Sequence, residues 1–247
     1  MTLPILYRDE ALVAVDKPSG LSVHRGWDGE RDVAMTRLRD QIGRYVYPVH
    51  RLDRGTSGVL LFALSADVAA ALGKTFTDGR AEKTYLALVR GAPPTSGTID
   101  HPLPPGEDRR EERVSAVTDF VRLDGFGRYS LVEARPRTGR LHQIRRHLKH
   151  ISCPIIGDVN YGKGEHNRLF RTSYGLHRLF LHAATLRLPH PETGHLLEIH
   201  APIPRELSVV LEELRRDLAS RLPSGDPSSP LPSSVASGLC AVLPQSA

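Results

Sequence analysis

Short apolar runs that end at turn-forming residues dominate the chain, and helical patterns separate only some of them. The runs that we predict as strands cover residues 11–15, 58–63, 83–90, 114–122, 129–135, 179–188 and 195–200. Because strands and helices do not alternate strictly, a doubly wound parallel sheet is disfavoured. The pattern instead predicts an α+β fold with a bent, mainly antiparallel mixed sheet flanked by helices and loops.

Three helices are predicted between these strands. Ser65 stands where an N-cap residue belongs, before an Ala-rich helix that ends near Gly79. Residues 140–149 have helical spacing, and a last helix begins after Pro204 with an apolar stripe. Residues 91–113 and 158–175 lack clear periodicity and are interpreted as loops, the first with room for one short strand.

The length and composition favour one large domain. The chain has 247 residues, of which 40% are hydrophobic and 25% charged. We therefore expect a single catalytic domain over residues 1–222. Residues 223–247 are rich in Ser and Pro and nearly free of charge, so this tail is predicted to be disordered.

The same composition disfavours several classes of protein. No run of 18 or more apolar residues is present, and the N-terminus has no secretory signal pattern, so we expect a cytoplasmic protein without a membrane partner. Two distant cysteines, Cys153 and Cys240, fit a reducing compartment, and without a Cys-x-x-Cys pair a zinc site is disfavoured. Apart from the final helix, which should dock on the domain, no long exposed apolar stripe is evident, so we expect a monomer.

The net charge of +5 and the pI of about 9.4 favour a polyanionic partner, although a basic solvated surface would give the same values. Arginines are concentrated in residues 135–149 and 168–178. Arginine is suited to bidentate contact with phosphate.

Two segments concentrate chemically useful side chains. In residues 50–58, Asp53 stands between Arg51 and Arg54 just before a predicted strand, which fits either a functional loop or a turn held by an ion pair. In residues 137–148, a Thr-Gly pair opens a basic helix, which fits either an anion site or a solvated surface.

Taken together, these motifs resemble the RluA family of pseudouridine synthases over about residues 5–205. The matching segments, in order, are Asp16–Gly20, His50–Asp53 with Thr56–Gly58, Lys83–Tyr85, Thr138–Arg140 with His142, Gln143 and Arg145, and Leu181–Ala183. Five motifs in the family's order favour the functional alternative for both segments. The resemblance implies isomerisation of a uridine in RNA, with no cofactor and no metal.

The resemblance also assigns roles to individual residues. It implies that Asp53 is the catalytic carboxylate, that Arg145 pairs with it, and that Tyr85 lies beside the uracil and takes the C5 proton. The target base must leave the stack, and Arg51 corresponds to the family arginine that fills the vacated space.

Further residues are expected to contact RNA or to support the site. Phosphate contacts are assigned to Arg140, Arg146 and Lys149, and more weakly to Lys17. His50 and His182 are expected to orient the backbone. His142, His147 and His150 are close in sequence, but no carboxylate or cysteine pattern accompanies them, so a metal site is disfavoured.

Within the family, the chain is most similar to the branch that acts on tRNA position 65, and tRNA is the favoured substrate. The residues that carry this similarity are Val23–Trp27, Gln143–Leu148 and Pro154–Asp158; a shorter loop at residues 104–114 departs from that branch.

Three alternatives stay open at this point. They are a ribosomal RNA pseudouridine synthase, a catalytically silent RNA-binding module, and a glycosidase-like hydrolase. The hydrolase would need a second catalytic carboxylate, for which Glu133 is the nearest candidate.

Overall fold

The computed structural model describes residues 2–24, 32–106 and 112–221, which form one mixed sheet flanked by helices. The strands in these ranges are β1 (Ile5–Arg8), β2 (Leu12–Lys17), β3 (Tyr47–Pro48), β4 (Ser57–Ala63), β5 (Glu82–Arg90), β6 (Ser96–Asp100), β7 (Val117–Phe126), β8 (Tyr129–Pro136), β9 (Leu181–Pro189) and β10 (Leu196–His200). The helices are α1 (Ala34–Ile42), α2 (Ala66–Thr77), α3 (Gln143–His150), α4 (Gly164–Tyr174) and α5 (Arg205–Arg221).

The sheet is mainly antiparallel, which confirms the predicted α+β class. Its strand order is β1-β2-β4-β9-β5-β8-β7-β6, with β3 on β4 and β10 on β9. Among the described strands, β4 and β9 form the one parallel pair, in which Ser57 is opposite His182 and Gly58 opposite Ala183. This junction lies directly after the predicted catalytic loop.

The β4–β9 junction requires glycine at position 58. Gly58 has φ of +111°, and a Cβ there would lie 2.1 Å from the carbonyl oxygen of Ala183. A side chain would therefore force the two strands apart, which explains the glycine at this position.

The sheet carries an apolar core on each face. On β2, Val13 and Val15 belong to one core, whereas Leu12 and Ala14 belong to the other. α2 covers the smaller core, and residues of α1, α3, α4 and α5 pack into the larger one. The alternation along β2 is the period of two expected for a strand buried on both faces.

Two of the three predicted helices agree closely with the structure. The Ser65 hydroxyl accepts a hydrogen bond from the Val68 amide at 3.2 Å, which confirms the N-cap of α2. In α5 the apolar stripe is buried at Leu207, Val210 and Leu211. None of the helices in the described ranges is long and apolar enough to cross a membrane.

The interpretation of residues 158–175 as a loop is wrong, because α4 occupies Gly164–Tyr174. Its completely buried apolar anchor is Phe170, with His166 almost as buried. Because only these two positions of α4 are buried, its sequence shows no clear helical period. The helix at 140–149 begins later than predicted, at Gln143, because His142 has left-handed backbone angles. The predictions for Trp27, Cys240 and the tail at 223–247 lie outside the described residues.

Candidate active site

A cleft of about 1280 Å³ opens where the loop before β4, the start of β5 and the N-terminus of α3 meet. Asp53, Tyr85, Arg145, Arg51 and Arg140 all line it. The fold therefore brings together side chains that lie up to 94 positions apart along the chain.

Asp53 lies in the turn that leads into β4. The turn is closed by the Thr56 amide, which donates to the Asp53 carbonyl at 3.0 Å. The Asp53 side chain is 19% exposed, so it is accessible to a ligand in the cleft. One of its oxygens accepts a hydrogen bond from Nη1 of Arg145 at 3.0 Å, and Nε2 of His142 lies 3.8 Å away.

Arg145 is fixed by a second carboxylate behind it. Its Nε and Nη2 donate to the two oxygens of Asp158 at 2.7 and 2.9 Å. The Asp158 side chain is fully buried, and it also accepts from the amides of Asn160 and Tyr161. Although burial would raise the pKa of Asp158, the Arg145 contacts and these amides outweigh burial and lower it. The guanidinium is thus held in one orientation towards Asp53.

Tyr85 is 9% exposed on β5 and lines the same cleft. Burial, and to a lesser extent the charge of Asp53, raise the pKa of Tyr85 well above its usual value. The side chain is therefore a neutral phenol near pH 7. In this state it presents an aromatic surface to the cleft.

Most charged side chains that line the described part of the cleft are cationic. Among the described residues that line it, Asp53 is the only acid, whereas the cations are Arg51, Lys83, Arg137, Arg140 and Arg145. Glu133 is not in the lining and pairs with Arg135. The described part of the cleft therefore lacks the second carboxylate that a glycosidase generally uses.

His50 and His182 both support backbone around the site. Nε2 of His50 accepts the Leu61 amide at 3.0 Å. Nδ1 of His182 is 2.9 Å from the Ser57 hydroxyl, and its Nε2 is 3.2 Å from the Ala201 carbonyl. Burial lowers the pKa of His50 to about 3 and that of His182 to about 4, so both rings are neutral. This geometry is the one expected of orienting residues.

The residues expected to contact RNA fall into two groups. Arg51, Arg140 and Lys149 are exposed, and the first two line the cleft. Arg146 is half-buried, and its three nitrogens donate to the Tyr161 hydroxyl and to the carbonyls of Pro104 and Gly106. Arg146 thus fixes the loop that borders the cleft.

Lys17 does not reach the surface, so the expected contact with RNA has no route in this structure. Its side chain is completely buried, and its ammonium donates to the carbonyls of Pro18, Leu21 and Arg54 at 2.9, 2.7 and 3.3 Å. Lys17 instead ties the turn after β2 to the residue that follows Asp53.

The three neighbouring histidines do not converge. His142 contacts the Tyr161 hydroxyl at 3.1 Å, while both nitrogens of His147 are used, on the Thr118 hydroxyl and the His101 carbonyl. His150 stacks on His101 with ring centroids 3.8 Å apart. Within the described ranges, no group of three or more His, Cys, Asp or Glu side chains is placed to hold a metal ion.

Two residues of the site had no role in the sequence analysis. Asp158 belonged to a segment noted only for its similarity to the tRNA branch, and its place behind Arg145 depends on long-range packing. Lys83 belonged to a matching motif, but no local pattern predicts that its side chain lines the cleft.

Comparison with known proteins gives consistent matches. A family model described as RNA pseudouridylate synthase matches residues 11–150. The chain is 44% identical over 222 residues to tRNA pseudouridine synthase C of Vibrio parahaemolyticus, covering 81% of this chain and 90% of that protein. It is 45% identical over 227 residues to the protein of the same name from Pasteurella multocida, covering 83% and 93%.

A solved structure shows the same fold. The human protein titled RNA Pseudouridylate Synthase Domain Containing 4 superposes with a TM-score of 0.72 at 30% identity. The superposition covers 86% of this chain and 93% of that one.

Proposed function

Because the chain belongs to the RNA pseudouridylate synthase family, we propose that it converts a uridine of tRNA into pseudouridine, with position 65 as the target. The chain is an isomerase of this family, and the curated relatives named as tRNA enzymes align over most of its length. That likeness supports a tRNA substrate and a cytoplasmic location. A single catalytic domain over residues 1–222, acting as a monomer, is part of the proposal.

The observation that carries the proposal is the Asp53–Arg145–Asp158 arrangement beside Tyr85. An isolated carboxylate at the surface of a basic cleft is suited to a reaction on an RNA nucleotide. Arg145 neutralises the charge of Asp53 from one side and leaves the carboxylate accessible from the cleft. Asp158 keeps Arg145 in place, so the pair is already oriented before RNA binds.

The reaction is a rearrangement in which nothing is added to or removed from the nucleotide overall. The N1–C1′ bond breaks, the uracil rotates in the cleft, a C5–C1′ bond forms, and a proton moves from C5 to N1. Asp53 would start this sequence by attack on the sugar, by attack on the base, or by removal of a sugar proton. Each of these roles requires an ionised carboxylate.

The other site residues would hold the substrate. Tyr85, which lines the cleft, would stack on the uracil, and the family resemblance also gives it the role of taking the C5 proton. A base inside a stem must leave the helix before it reaches Asp53. Arg51, which is exposed and lines the cleft, would occupy the vacated space, while Arg140 and Lys149 would contact phosphates.

The test is to incubate the purified protein with unmodified tRNA transcripts and with ribosomal RNA, and to map pseudouridine by chemical adduct and reverse-transcription stops. Asp53→Asn keeps the shape of the side chain and removes its charge. Asp40→Asn makes the same change at an exposed site outside the cleft lining. A transcript with cytidine at position 65 controls for the target base.

We expect one stop at tRNA position 65, present with wild type and Asp40→Asn and lost with Asp53→Asn. A stop in ribosomal RNA alone would replace the tRNA assignment with a ribosomal one. Tight binding to RNA with no stop in either substrate would favour the silent binding module.

A further inference from the structure

Lys83 differs from every other cation in the described lining of the cleft. Arg145 and Arg137 are paired with Asp53 and Asp119, and Arg140 donates to the Ser115 carbonyl. Arg51 is exposed. Lys83 is half-buried, and within the described residues its ammonium has no hydrogen bond or ion pair.

The position of Lys83 directs it to the substrate. It lies on β5 two residues before Tyr85, and both side chains line the cleft. No buried side-chain nitrogen in the described part of the chain lacks a partner, so this unpartnered ammonium must be reached from the cleft. Burial lowers its pKa, which is the cost of removing a charge from water without a counter-charge.

A second donor accompanies the ammonium. Nε2 of His50 accepts the Leu61 amide, so the proton of this neutral ring is on Nδ1. Nδ1 has no partner among the described residues, and by the same reasoning it is open to the cleft that His50 lines. Lys83 and His50 line the same cleft, and the charge of Lys83 contributes to the low pKa of His50.

An aromatic surface adjoins this pair. The His50 ring stacks on Phe76, with centroids 4.9 Å apart, and Phe76 and Thr77 also line the cleft. A half-buried cation beside an N–H donor, without an acceptor to neutralise it, matches a fully charged oxyanion better than a neutral carbonyl.

We propose that Lys83 and His50 form a phosphate subsite, which holds the RNA backbone next to the nucleotide presented to Asp53. This inference rests on the proposed function, since it takes the RNA in the cleft as the ligand. Lys83 is then a substrate-binding residue whose charge is fully compensated when RNA is bound. The subsite fixes the backbone while the base rotates.

The test compares three variants by binding of unmodified tRNA transcript between 50 and 300 mM salt, in the Asp53→Asn background so that no product forms. Lys83→Met removes the charge and keeps the length of the side chain. Lys83→Arg keeps the charge. Lys163→Met makes the neutralising change at an exposed lysine outside the cleft lining.

We expect Lys83→Met to weaken binding about tenfold at 0.1 M salt and to reduce the slope of log Kd against log salt by about 0.7 to 0.9, the value for one phosphate contact. Lys83→Arg should restore the slope, and Lys163→Met should leave it unchanged. Because Lys83→Met removes a desolvated charge, its Tm should equal or exceed that of the parent protein, which separates lost contact from lost folding.

Two results would overturn the subsite. One is a salt slope for Lys83→Met equal to that of Lys163→Met. The other is unchanged binding together with a large loss of kcat in the otherwise native protein, which would place the ammonium on the uracil. Absence of pseudouridine with the wild-type protein would contradict the proposed function. A difference in salt slope between Lys83→Met and Lys163→Met would still support the phosphate contact in that case.

Discussion

Asp158→Asn tests whether the orientation of Arg145 depends on the buried carboxylate behind it. The substitution keeps the size of the side chain but puts an NH₂ group where Asp158 accepts hydrogen bonds. Two guanidinium nitrogens and two backbone amides donate to this carboxylate, so at least one donor must lose its acceptor.

The expected loss of stability depends on the burial of Asp158 and on the contact that Arg145 keeps with Asp53. Removing one partner of a buried ion pair typically costs about 3–5 kcal/mol. Arg145 keeps its contact with Asp53, so we expect the lower end, about 3 kcal/mol. For a domain of this size, that corresponds to a fall in Tm of about 6–12 °C. A displaced Arg145 should also reduce kcat by about 100-fold, with little change in Kd for tRNA.

A matched control exists in the same chain. Arg137 and Asp119 form an ion pair with the same two-point geometry, at 2.6 and 2.9 Å, but their side chains are 64% and 30% exposed. Asp119→Asn should therefore change Tm by less than about 3 °C. The Tm values of both variants are compared by calorimetry, and their rates by single-turnover kinetics on tRNA.

The pH dependence supplies a further check. The pKa of Asp158 is lowered in the folded state, so its contribution to stability is complete above the unfolded value near 3.8 and is lost as pH falls through the folded value. Asp158→Asn should therefore lose more stability at pH 7 than at pH 3. Equal Tm values for Asp158→Asn and Asp119→Asn at pH 7, or unchanged kcat in a destabilised Asp158→Asn, would contradict this role of Asp158.

Two further predictions concern the residues around the catalytic loop. Gly58→Ala places a Cβ 2.1 Å from the Ala183 carbonyl oxygen and should lower the free energy of unfolding by about 3 kcal/mol or more. Gly73→Ala, in open space on α2, should raise it by up to about 1 kcal/mol. Urea titration of both variants measures the two changes. Burial, aided by the charge of Arg178, lowers the pKa of Lys17 to about 7 from 10.5. Because the unfolded chain binds more protons between these values, stability should rise with pH across them, and Lys17→Met should flatten that rise between pH 7 and 9.

The class of the fold, most strands and the main residues of the candidate site are predictable from the sequence. The apolar run at β2 and the N-cap at Ser65 are local patterns, which can be recognised without knowledge of long-range contacts. The motif around Asp53 and the positions of Tyr85 and Arg145 were readable because they follow the family's order. Predictions were weakest where few residues of an element are buried, as in α4.

The role of each charged side chain depends on tertiary contacts. Lys17, Lys83 and Arg146 are equally cationic in the sequence, yet one is enclosed by carbonyls, one opens into the cleft and one fixes a loop. Asp158 became part of the site because residues 145 and 158 meet in a place that water does not reach. Burial and partners set what a charged group does, and both arise from contacts between segments that are distant along the chain.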